Sequence, residues 1–284
     1  MDTTRYMLTI LMLACTAASL RAQRYELVWH DEFDADGRPD TARWVYEEGF
    51  VRNHEAQWYS RDNAWVQDGL LVIEARPCTG RPNPWYREGS TDWRFSRPEV
   101  TCTSACITTQ GRYSFCYGSL QVRARIPVGK GAWPAIWTLG CDMEWPSNGE
   151  IDLMEFYRIN GLPVIMANAA WGTDHRFQAH WNSKATPFSH FLELNPDWAS
   201  EFHVWRMDWT DKAILLYLDD ELLNSIDLAA TTNGRLAQFK NPFRHPHYIL
   251  LNLAVGGDNG GEISPEAWPM RYEIDYVRVY QLKE

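Results

Sequence analysis

The chain has 284 residues, which is enough for one all-β domain with a large core, since sandwiches and barrels often exceed about 200 residues undivided. Its 27 basic residues against 37 acidic ones argue against nucleic acid as a partner, because nucleic-acid binding rests on basic patches. The 15 Trp and 13 Tyr residues either fill a core or line a groove for flat ligands, and a neutral chain of sugars fits such a groove.

The first 22 residues have the layout of a signal peptide. Arg5 precedes a mostly apolar run at residues 7–20, which is too short to span a bilayer, and the small residue Ala22 follows. We expect cleavage after Ala22, which leaves residues 23–284 as a single domain. Lipid attachment at Cys15 is the alternative. Both predict a secreted, periplasmic or cell-surface protein, and no other apolar run is long enough to cross a membrane.

Export permits disulfides, and an odd number of cysteines remains after the predicted cleavage. At least one thiol therefore has no partner within the chain. The spacing of Cys102 and Cys106 resembles half of a metal site, but no matching His or Cys pair follows. A structural role is expected for this pair, either in a disulfide or as small buried residues. The five are Cys78, Cys102, Cys106, Cys116 and Cys141.

Short strand patterns follow one another along the rest of the chain. Residues 120–126 alternate apolar and polar side chains, whereas residues 77–98, with four prolines, predict a long surface loop. Many strands at short spacing, with no repeat and no linker, predict one antiparallel sandwich. Strands are predicted at residues 25–33, 70–76, 120–126, 164–171, 203–209, 213–218, 248–255 and 272–280, and short helical turns at residues 197–202 and 228–230.

A further run, at residues 149–156, places three carboxylates among strand-forming apolar residues. Its sequence is Gly-Glu-Ile-Asp-Leu-Met-Glu-Phe. Like charges on one face of a strand repel and raise each other's pKa, so the cluster costs stability. Such clusters usually carry chemistry. A solvated acidic strand is the alternative that composition alone leaves open.

The spacing of the three acids along the strand decides which of their side chains lie on the same face. Glu150 and Asp152 share one face of a regular strand, and Glu155 has the opposite parity. A β-bulge at Leu153-Met154 would turn Glu155 onto the same face, and we predict one there. The two glutamates would then act on one sugar, as in retaining glycosidases, where the carboxyl groups lie about 5–5.5 Å apart. Glu150 is predicted to be the nucleophile and Glu155 the acid/base, with Asp152 bonded to the nucleophile.

Together with other stretches, the acid run resembles glycoside hydrolase family 16, the laminarinase-like enzymes, in its bulged form. The matching stretches extend from near residue 27 to residue 280. The resemblance implies a β-jelly-roll sandwich of two antiparallel sheets with a concave groove, a catalytic domain at residues 23–284, and no cofactor for catalysis. The other stretches are Gly-Ala-Trp-Pro-Ala-Ile-Trp at residues 131–137, Trp145-Pro146, and residues 248–257 and 274–280.

The resemblance also implies residues that contact the substrate. Asn53 and Glu55 would bind sugar hydroxyls on the non-reducing side, and Trp133 and Trp137 would form the floor near the cleaved sugar. Trp145 and Trp171 would add aromatic contacts. Core packing is the alternative for all four tryptophans.

A structural calcium ion is a second implication of the resemblance. Its ligands would be Glu32, the backbone of Gly69, and Asp275, because oxygen ligands suit that ion. Ordinary surface carboxylates are the alternative.

Two departures from the laminarinase pattern bear on the substrate. The strand after the acid run reads Met-Ala-Asn-Ala-Ala-Trp at residues 166–171 instead of a His-Gly-Thr-x-His type segment, and Cys106 occupies a position where Arg is common. We predict an endo-acting enzyme, and its first candidate substrate is a β-1,3- or mixed β-1,3/1,4-glucan. A β-galactosidic chain is the rival, either poly-N-acetyllactosamine of mucin O-glycans or a marine galactan, since galactose has an axial 4-hydroxyl. From another class, a noncatalytic sugar-binding module remains the alternative. We expect a monomer.

Overall fold

The computed structural model describes residues 25–283, so the predicted signal peptide and Cys15 lie outside the described residues. In chain order the strands are β1 (Tyr25–Asp31), β2 (Val45–Tyr46), β3 (Gln57–Tyr59), β4 (Ala64–Gln67), β5 (Leu70–Pro82), β6 (Glu99–Ser104), β7 (Cys106–Thr108), β8 (Gly118–Arg125), β9 (Ala132–Gly140), β10 (Glu150–Ile159), β11 (Leu162–Gly172), β12 (Ala179–Pro187), β13 (His203–Trp209), β14 (Ala213–Leu218), β15 (Glu221–Asp227), β16 (His247–Val255) and β17 (Met270–Leu282). The helices are α1 (Trp93–Ser96), α2 (Phe188–Leu194) and α3 (Gly257–Gly260). Single 3₁₀ turns lie at Arg61–Asn63, Trp198–Ser200, Leu228–Ala230, Arg235–Ala237, Pro242–Arg244 and Pro265–Ala267.

The described strands form two sheets that pack face to face. The larger sheet has the order β15-β14-β13-β8-β17-β5-β6-β3, with β1 beside β17 and β4 beside β5. The second sheet, called here the groove sheet, has the order β12-β11-β10-β9-β16-β7-β2. The predicted β-jelly-roll sandwich is confirmed. One pair departs from the antiparallel expectation, because β3 runs parallel to β6.

Alternation within the strands explains where the core sits. In β13 every second residue is buried, so Trp205, Met207 and Trp209 point between the sheets. Strand β16 is buried on both faces. Ile249 on one face joins the core between the sheets, and Leu250 on the other joins a smaller cluster with groove-side residues. Side chains therefore also pack on the face of the groove sheet that is turned away from the larger sheet.

The predicted strands are all present, and the two at residues 203–209 and 213–218 have the predicted bounds. The long loop at residues 77–98 is partly wrong. Strand β5 continues to Pro82, because Arg81 and Pro82 pair with β6 after a shift in register. Helix α1 occupies part of the remainder. Strands β12 and β15 and helix α2 are among the elements that had no prediction.

The cysteine alternatives are resolved in favour of free thiols. All five cysteines within residues 25–283 are unpaired, and Cys102 and Cys106 are buried as small core residues. Burial raises the pKa of the Cys102 thiol to about 12, so this thiol stays neutral. In the part of the chain that the structure describes, no helix has the length and apolar character needed to cross a membrane.

Candidate active site

The acid strand carries the predicted bulge. Asp152 pairs with Asn168 on β11, but the next pair that forms is Glu155 with Met166, so β10 has one residue more than its neighbour. The same shift occurs against β9. Met166 and Asn168 are two residues apart and point to one side of β11, so Glu155 faces the same side as Asp152. Glu150 is two residues before Asp152 and shares that face. The bulge at Leu153-Met154 is therefore confirmed.

A cavity of about 880 Å³ lies over this face of the groove sheet, and all three carboxylates line it. The structure brings five of the six predicted substrate-binding residues to the same cavity. They are Asn53, Glu55, Trp133, Trp137 and Trp145. Other residues that line it were not predicted from the sequence, among them Arg52, Tyr157, Asn168, Phe177, Trp181 and Asn252.

Each of the two glutamates has its own hydrogen-bond donors. Trp145 Nε1 donates to Glu150 Oε2 at 2.6 Å. Trp133 Nε1 donates to Glu155 Oε1 at 2.9 Å, and Asn168 Nδ2 donates to Glu155 Oε2 at 3.0 Å. These bonds fix the orientation of both carboxyl groups before any ligand arrives. Trp133, predicted as part of the floor, and Trp145, predicted as an added aromatic contact, therefore also hold the carboxylates in place.

Burial is the first cause of the raised pKa of all three acids. It raises the pKa of Glu155 to about 7, helped by the nearby charge of Glu150 and opposed by the bond from Trp133. Burial and the charges of both glutamates raise the pKa of Asp152 well above its usual range. For Glu150 the rise from burial is opposed by the bond from Trp145, by Asp152 within hydrogen-bond reach, and by the charge of Arg52. Burial and its two charged neighbours thus favour a protonated Asp152, and Glu150 is surrounded by groups that favour its ionised form.

A second group of polar residues lies on the wall of the cavity. Glu55 is 2% exposed and accepts a hydrogen bond from Gln57 Nε2 at 2.6 Å. Burial raises its pKa to about 7. The guanidinium carbon of Arg52 lies 5.1 Å from the centre of the Trp137 ring, and Arg52 is ion-paired with Glu47. This wall can present donors and acceptors to sugar hydroxyls.

Trp171 is the predicted contact that the structure does not bring to the cavity. Ala170 faces the carboxylates, so the next residue points to the opposite side of β11. There the Trp171 ring packs against the core, 6.4 Å from Phe243 and 5.8 Å from His180 between ring centres. Trp181, which pairs with Ala170 from β12, lines the cavity instead. The family resemblance implied that Trp171 contacts the substrate, but the alternation of side chains along β11 directs it to the opposite side of the sheet.

The residues predicted to bind calcium are occupied by other partners. Glu32 accepts hydrogen bonds from Arg278 Nε and Nη2 at 2.8 and 2.7 Å, and Asp275 accepts one from Arg123 Nη1 at 2.5 Å. Gly69 forms the turn between β4 and β5 with a φ of +75°. Calcium at this position stays a prediction, and binding would require both carboxylates to give up or share their arginine partners.

The sequence and the fold match known proteins. The family model described as Glycosyl hydrolases family 16 matches residues 53–278. The beta-glucanase of Rhodothermus marinus is 35% identical over 301 aligned residues, which cover 100% of this chain and 96% of that protein. The solved laminarinase of Rhodothermus marinus has a TM-score of 0.74 and 34% identity, with 93% of this chain and 100% of that one covered. A structure from work on endo-acting O-glycanases of the human gut microbiota that initiate mucin breakdown has a TM-score of 0.79 and 36% identity, with 92% of both chains covered.

The family model spans most of the chain, and it includes the bulged acid strand with all three of its carboxylates. The relative from Rhodothermus marinus agrees over the whole length. The chain therefore belongs to glycosyl hydrolases family 16 and is a hydrolase of O-glycosyl bonds.

Proposed function

We propose that this protein is an endo-acting, retaining β-glycosidase with Glu150 as nucleophile, Glu155 as acid/base and Asp152 as the partner of the nucleophile. The observation that carries the proposal is the bulge in β10, which sets the three carboxyl groups on one face of one cavity. Two glutamates with different hydrogen-bond partners and different charge environments suit the two roles of a double displacement.

In the first step a Glu150 oxygen forms a bond to the anomeric carbon while the bond from that carbon to the leaving oxygen breaks. Glu155 gives its proton to the leaving oxygen. With a pKa of about 7, Glu155 is about half protonated at neutral pH, which suits a general acid. Trp145 and Asp152 hold the attacking carboxylate.

In the second step water attacks the anomeric carbon and the bond to Glu150 breaks. Glu155, now ionised, takes the proton from that water. While Glu150 is esterified it carries no charge, so the repulsion that raised the pKa of Glu155 is absent and its ionised form is favoured. Release of the sugar restores the charge of Glu150 and the first protonation state.

The extent of the groove favours internal cleavage of a chain. Cavity-lining residues extend from Arg52 and Glu55 on one wall to Trp181 on the edge strand β12. The carboxylates lie between these two walls, so sugars can be bound on both sides of the cleaved bond. A site for end-cleavage would be closed on one side.

For the substrate we place a β-1,3- or mixed β-1,3/1,4-glucan first. The full-length similarity to a beta-glucanase supports this choice. A β-galactosidic chain, such as poly-N-acetyllactosamine of mucin O-glycans, is the second candidate. The similarity to a structure from work on O-glycanases favours it, as does the placement of Asn168 against Glu155 at one of the departures from the laminarinase pattern.

We further propose that the protein is exported through the signal peptide at residues 1–22 and acts as a monomer. Lipid attachment at Cys15 would keep it at a membrane surface instead. Mass spectrometry of the protein purified from its natural host, which reads the first residue and any attached lipid, distinguishes these cases.

The experiment for the proposed function incubates the protein with laminarin, mixed-linkage β-glucan and lactosamine polymers and analyses the products over time. Early release of oligosaccharides of mixed length is the expected pattern. The Glu150→Gln variant should lose turnover and keep ligand binding, measured by calorimetry. Unchanged turnover in that variant would show that Glu150 has another role, whereas binding without turnover in both proteins would indicate a sugar-binding module.

A further inference from the structure

The tryptophan that bonds Glu150 lies in a connection between two strands and not in a strand. Trp145 belongs to residues 141–149, which join β9 to β10, and its Nε1 donates to Glu150 Oε2 at 2.6 Å. This bond favours the ionised form of Glu150. A donor on a connection keeps such a distance only if the connection itself is held in place. The contacts that hold residues 141–149 therefore affect Glu150.

Bonds within the connection close it into a compact turn. Ser147 N and Asn148 N both donate to Glu144 O, at 2.9 and 3.2 Å. Asn148 Nδ2 donates to Gly140 O, at the end of β9, at 3.2 Å. These bonds set the shape of the connection, but they do not place it against the neighbouring strand β11.

A buried amide joins the connection to β11. Asn233, between β15 and β16, is 1% exposed. Its Nδ2 donates to Ser147 O at 2.7 Å, and its Oδ1 accepts from Gly172 N at 2.6 Å. Ser147 is two residues after Trp145, and Gly172 is the last residue of β11. An inverted amide would set its nitrogen against an N–H and its oxygen against a carbonyl, so these partners determine the orientation of Asn233.

The chain segments around Asn233 meet at two glycines. Gly234 N donates to Gly172 O at 2.9 Å. A Cβ atom at Gly172 would lie 2.5 Å from Ser147 Oγ, and one at Gly234 would lie 2.4 Å from the carbonyl carbon of Thr173. Glycine at both positions therefore allows the approach that brings the Asn233 amide within reach of both of its partners.

A second link between the loops is exposed and contributes less. Arg176, in the loop after β11, bonds Glu144 at 2.7 and 2.8 Å, and the two side chains are 69% and 52% exposed. Exposed ion pairs contribute little to stability, because water competes for both charges. Loss of the buried amide would instead leave a carbonyl and an N–H without partners. Asn233 is therefore the stronger link between Trp145 and β11.

We propose that Asn233 is a positioning residue for the nucleophile: through Ser147 it holds the connection that keeps the Trp145 indole against Glu150. Among the described residues that line the cavity of the carboxylates, Asn233 is absent, so it acts through Trp145 and not on a ligand there. This inference rests on the proposed function, because it takes Glu150 as the nucleophile.

The other groups that set the charge state of Glu150 do not depend on this link. Asp152 and Glu155 lie on β10 itself, and Arg52 approaches from the loop before β3. The residues that pair with Glu150 on β9 and β11 are apolar. Removal of the Asn233 amide should therefore change the Trp145 bond and leave these charges where they are.

The test measures the acidic limb of the kcat/KM profile, which reports the ionisation of Glu150 in the free enzyme. The substrate is an oligosaccharide that the wild-type protein cleaves, from the laminarin or the lactosamine series. Trp145→Phe removes the bond and should move the limb to higher pH by about one unit. Asn233→Ala should move it the same way by about half a unit and lower kcat/KM about 5- to 20-fold. In the double variant the limb should lie where Trp145→Phe alone places it.

Asn63→Ala is the matched control, because Asn63 is 4% exposed and donates from Nδ2 to Glu74 O at 2.7 Å on the larger sheet. This variant should lose stability in denaturant unfolding but keep the wild-type acidic limb and kcat/KM. If Asn233→Ala does not fold, Gly172→Ala takes its place, because the added methyl group pushes Ser147 away from β11. The same shift of the acidic limb is expected.

Two results overturn the inference and leave the proposed function standing. One is a loss of stability in Asn233→Ala with the acidic limb at the wild-type pH, which would make Asn233 a purely structural residue. The other is a double variant in which the two shifts add, which would show that Asn233 does not act through Trp145. If Trp145→Phe itself leaves the limb unmoved, the role proposed for Glu150 fails and the inference fails with it.

Discussion

Asn168 donates its side-chain amide to Glu155 at 3.0 Å, and it is 2% exposed. The same residue pairs directly with Asp152 in the sheet. One oxygen of each of these two partners, Asn168 Oδ1 and Asp152 Oδ2, is buried without a hydrogen bond. The amide nitrogen of Asn168 is directed toward Glu155 and favours the ionised form of that acid. The strand after the acid run therefore takes part in setting the state of the acid/base.

The first prediction concerns Asn168→Ala. The bond from Asn168 favours the ionised form of Glu155, so its removal raises the pKa of Glu155 further. Because the first step needs protonated Glu155, the basic limb of the kcat/KM profile should move to higher pH by up to about one unit. Asn195→Ala is the matched control, since Asn195 makes the same kind of bond to Glu201 at 3.0 Å. A basic limb that does not move would contradict the assigned contact.

The second prediction concerns the acid/base itself. Glu155→Ala should lower kcat on oligosaccharides about 100- to 10,000-fold, because the leaving oxygen is no longer protonated. A glycosyl fluoride needs little protonation and should be cleaved much better by this variant than an oligosaccharide. Added azide should restore turnover and give a β-glycosyl azide, identified by NMR. Loss on both substrates to the same extent would assign Glu155 to another role.

The third prediction concerns Arg52, whose charge lowers the pKa of Glu150. Attack requires ionised Glu150, so Arg52→Met should move the acidic limb of the kcat/KM profile to higher pH. KM should also rise, because Arg52 lies over Trp137 on the cavity wall. Arg123→Met on the larger sheet is the control, since Arg123 is likewise paired with a carboxylate and lies 4.9 Å from the ring centre of Phe202. An acidic limb that stays at the same pH would show that the charge of Arg52 does not lower the pKa of Glu150.

The fourth prediction concerns stability. Burial raises the pKa of Glu55 from 4.5 to about 7 in the folded protein, so folding favours the protonated form. Its contribution to stability is full below about pH 4.5 and is lost as the pH rises through about 7. Glu55→Gln removes this dependence and should raise the free energy of unfolding at pH 8 by up to about 3 kcal/mol, with little change at pH 4. Denaturant unfolding at both pH values measures it, and an equal effect at both would contradict the buried neutral carboxyl.

The acid strand and its bulge could be predicted because strand periodicity leaves few choices. Glu150 and Asp152 share a face, and Glu155 can join them only if β10 contains an extra residue. The position of Trp171 could not be predicted in the same way. Its side depends on the register of β11, and β12, which supplies Trp181, is mostly exposed and has no apolar alternation to reveal a strand.

Contacts between segments that are far apart in sequence could not be predicted either. Arg52 meets Trp137 because the loop before β3 lies against the groove sheet, and no local pattern encodes that approach. Glu32 and Asp275 each lie near an arginine from another strand, which oxygen-ligand patterns do not reveal. The prolines at residues 77–98 indicated a loop. Strand β5 nevertheless continues into this region, because it pairs with β6 after a shift in register that no local pattern shows.

Covalent trapping distinguishes a double displacement through Glu150 from any other use of the three carboxylates. The protein is incubated with a 2-deoxy-2-fluoro-oligosaccharyl β-fluoride of the series that it cleaves, digested, and analysed by mass spectrometry. We expect one added glycosyl group on the peptide that contains residues 149–156, attached to Glu150, and no label in Glu150→Gln. A label on Glu155, or cleavage of the substrate with inversion and no labelled peptide, would contradict it.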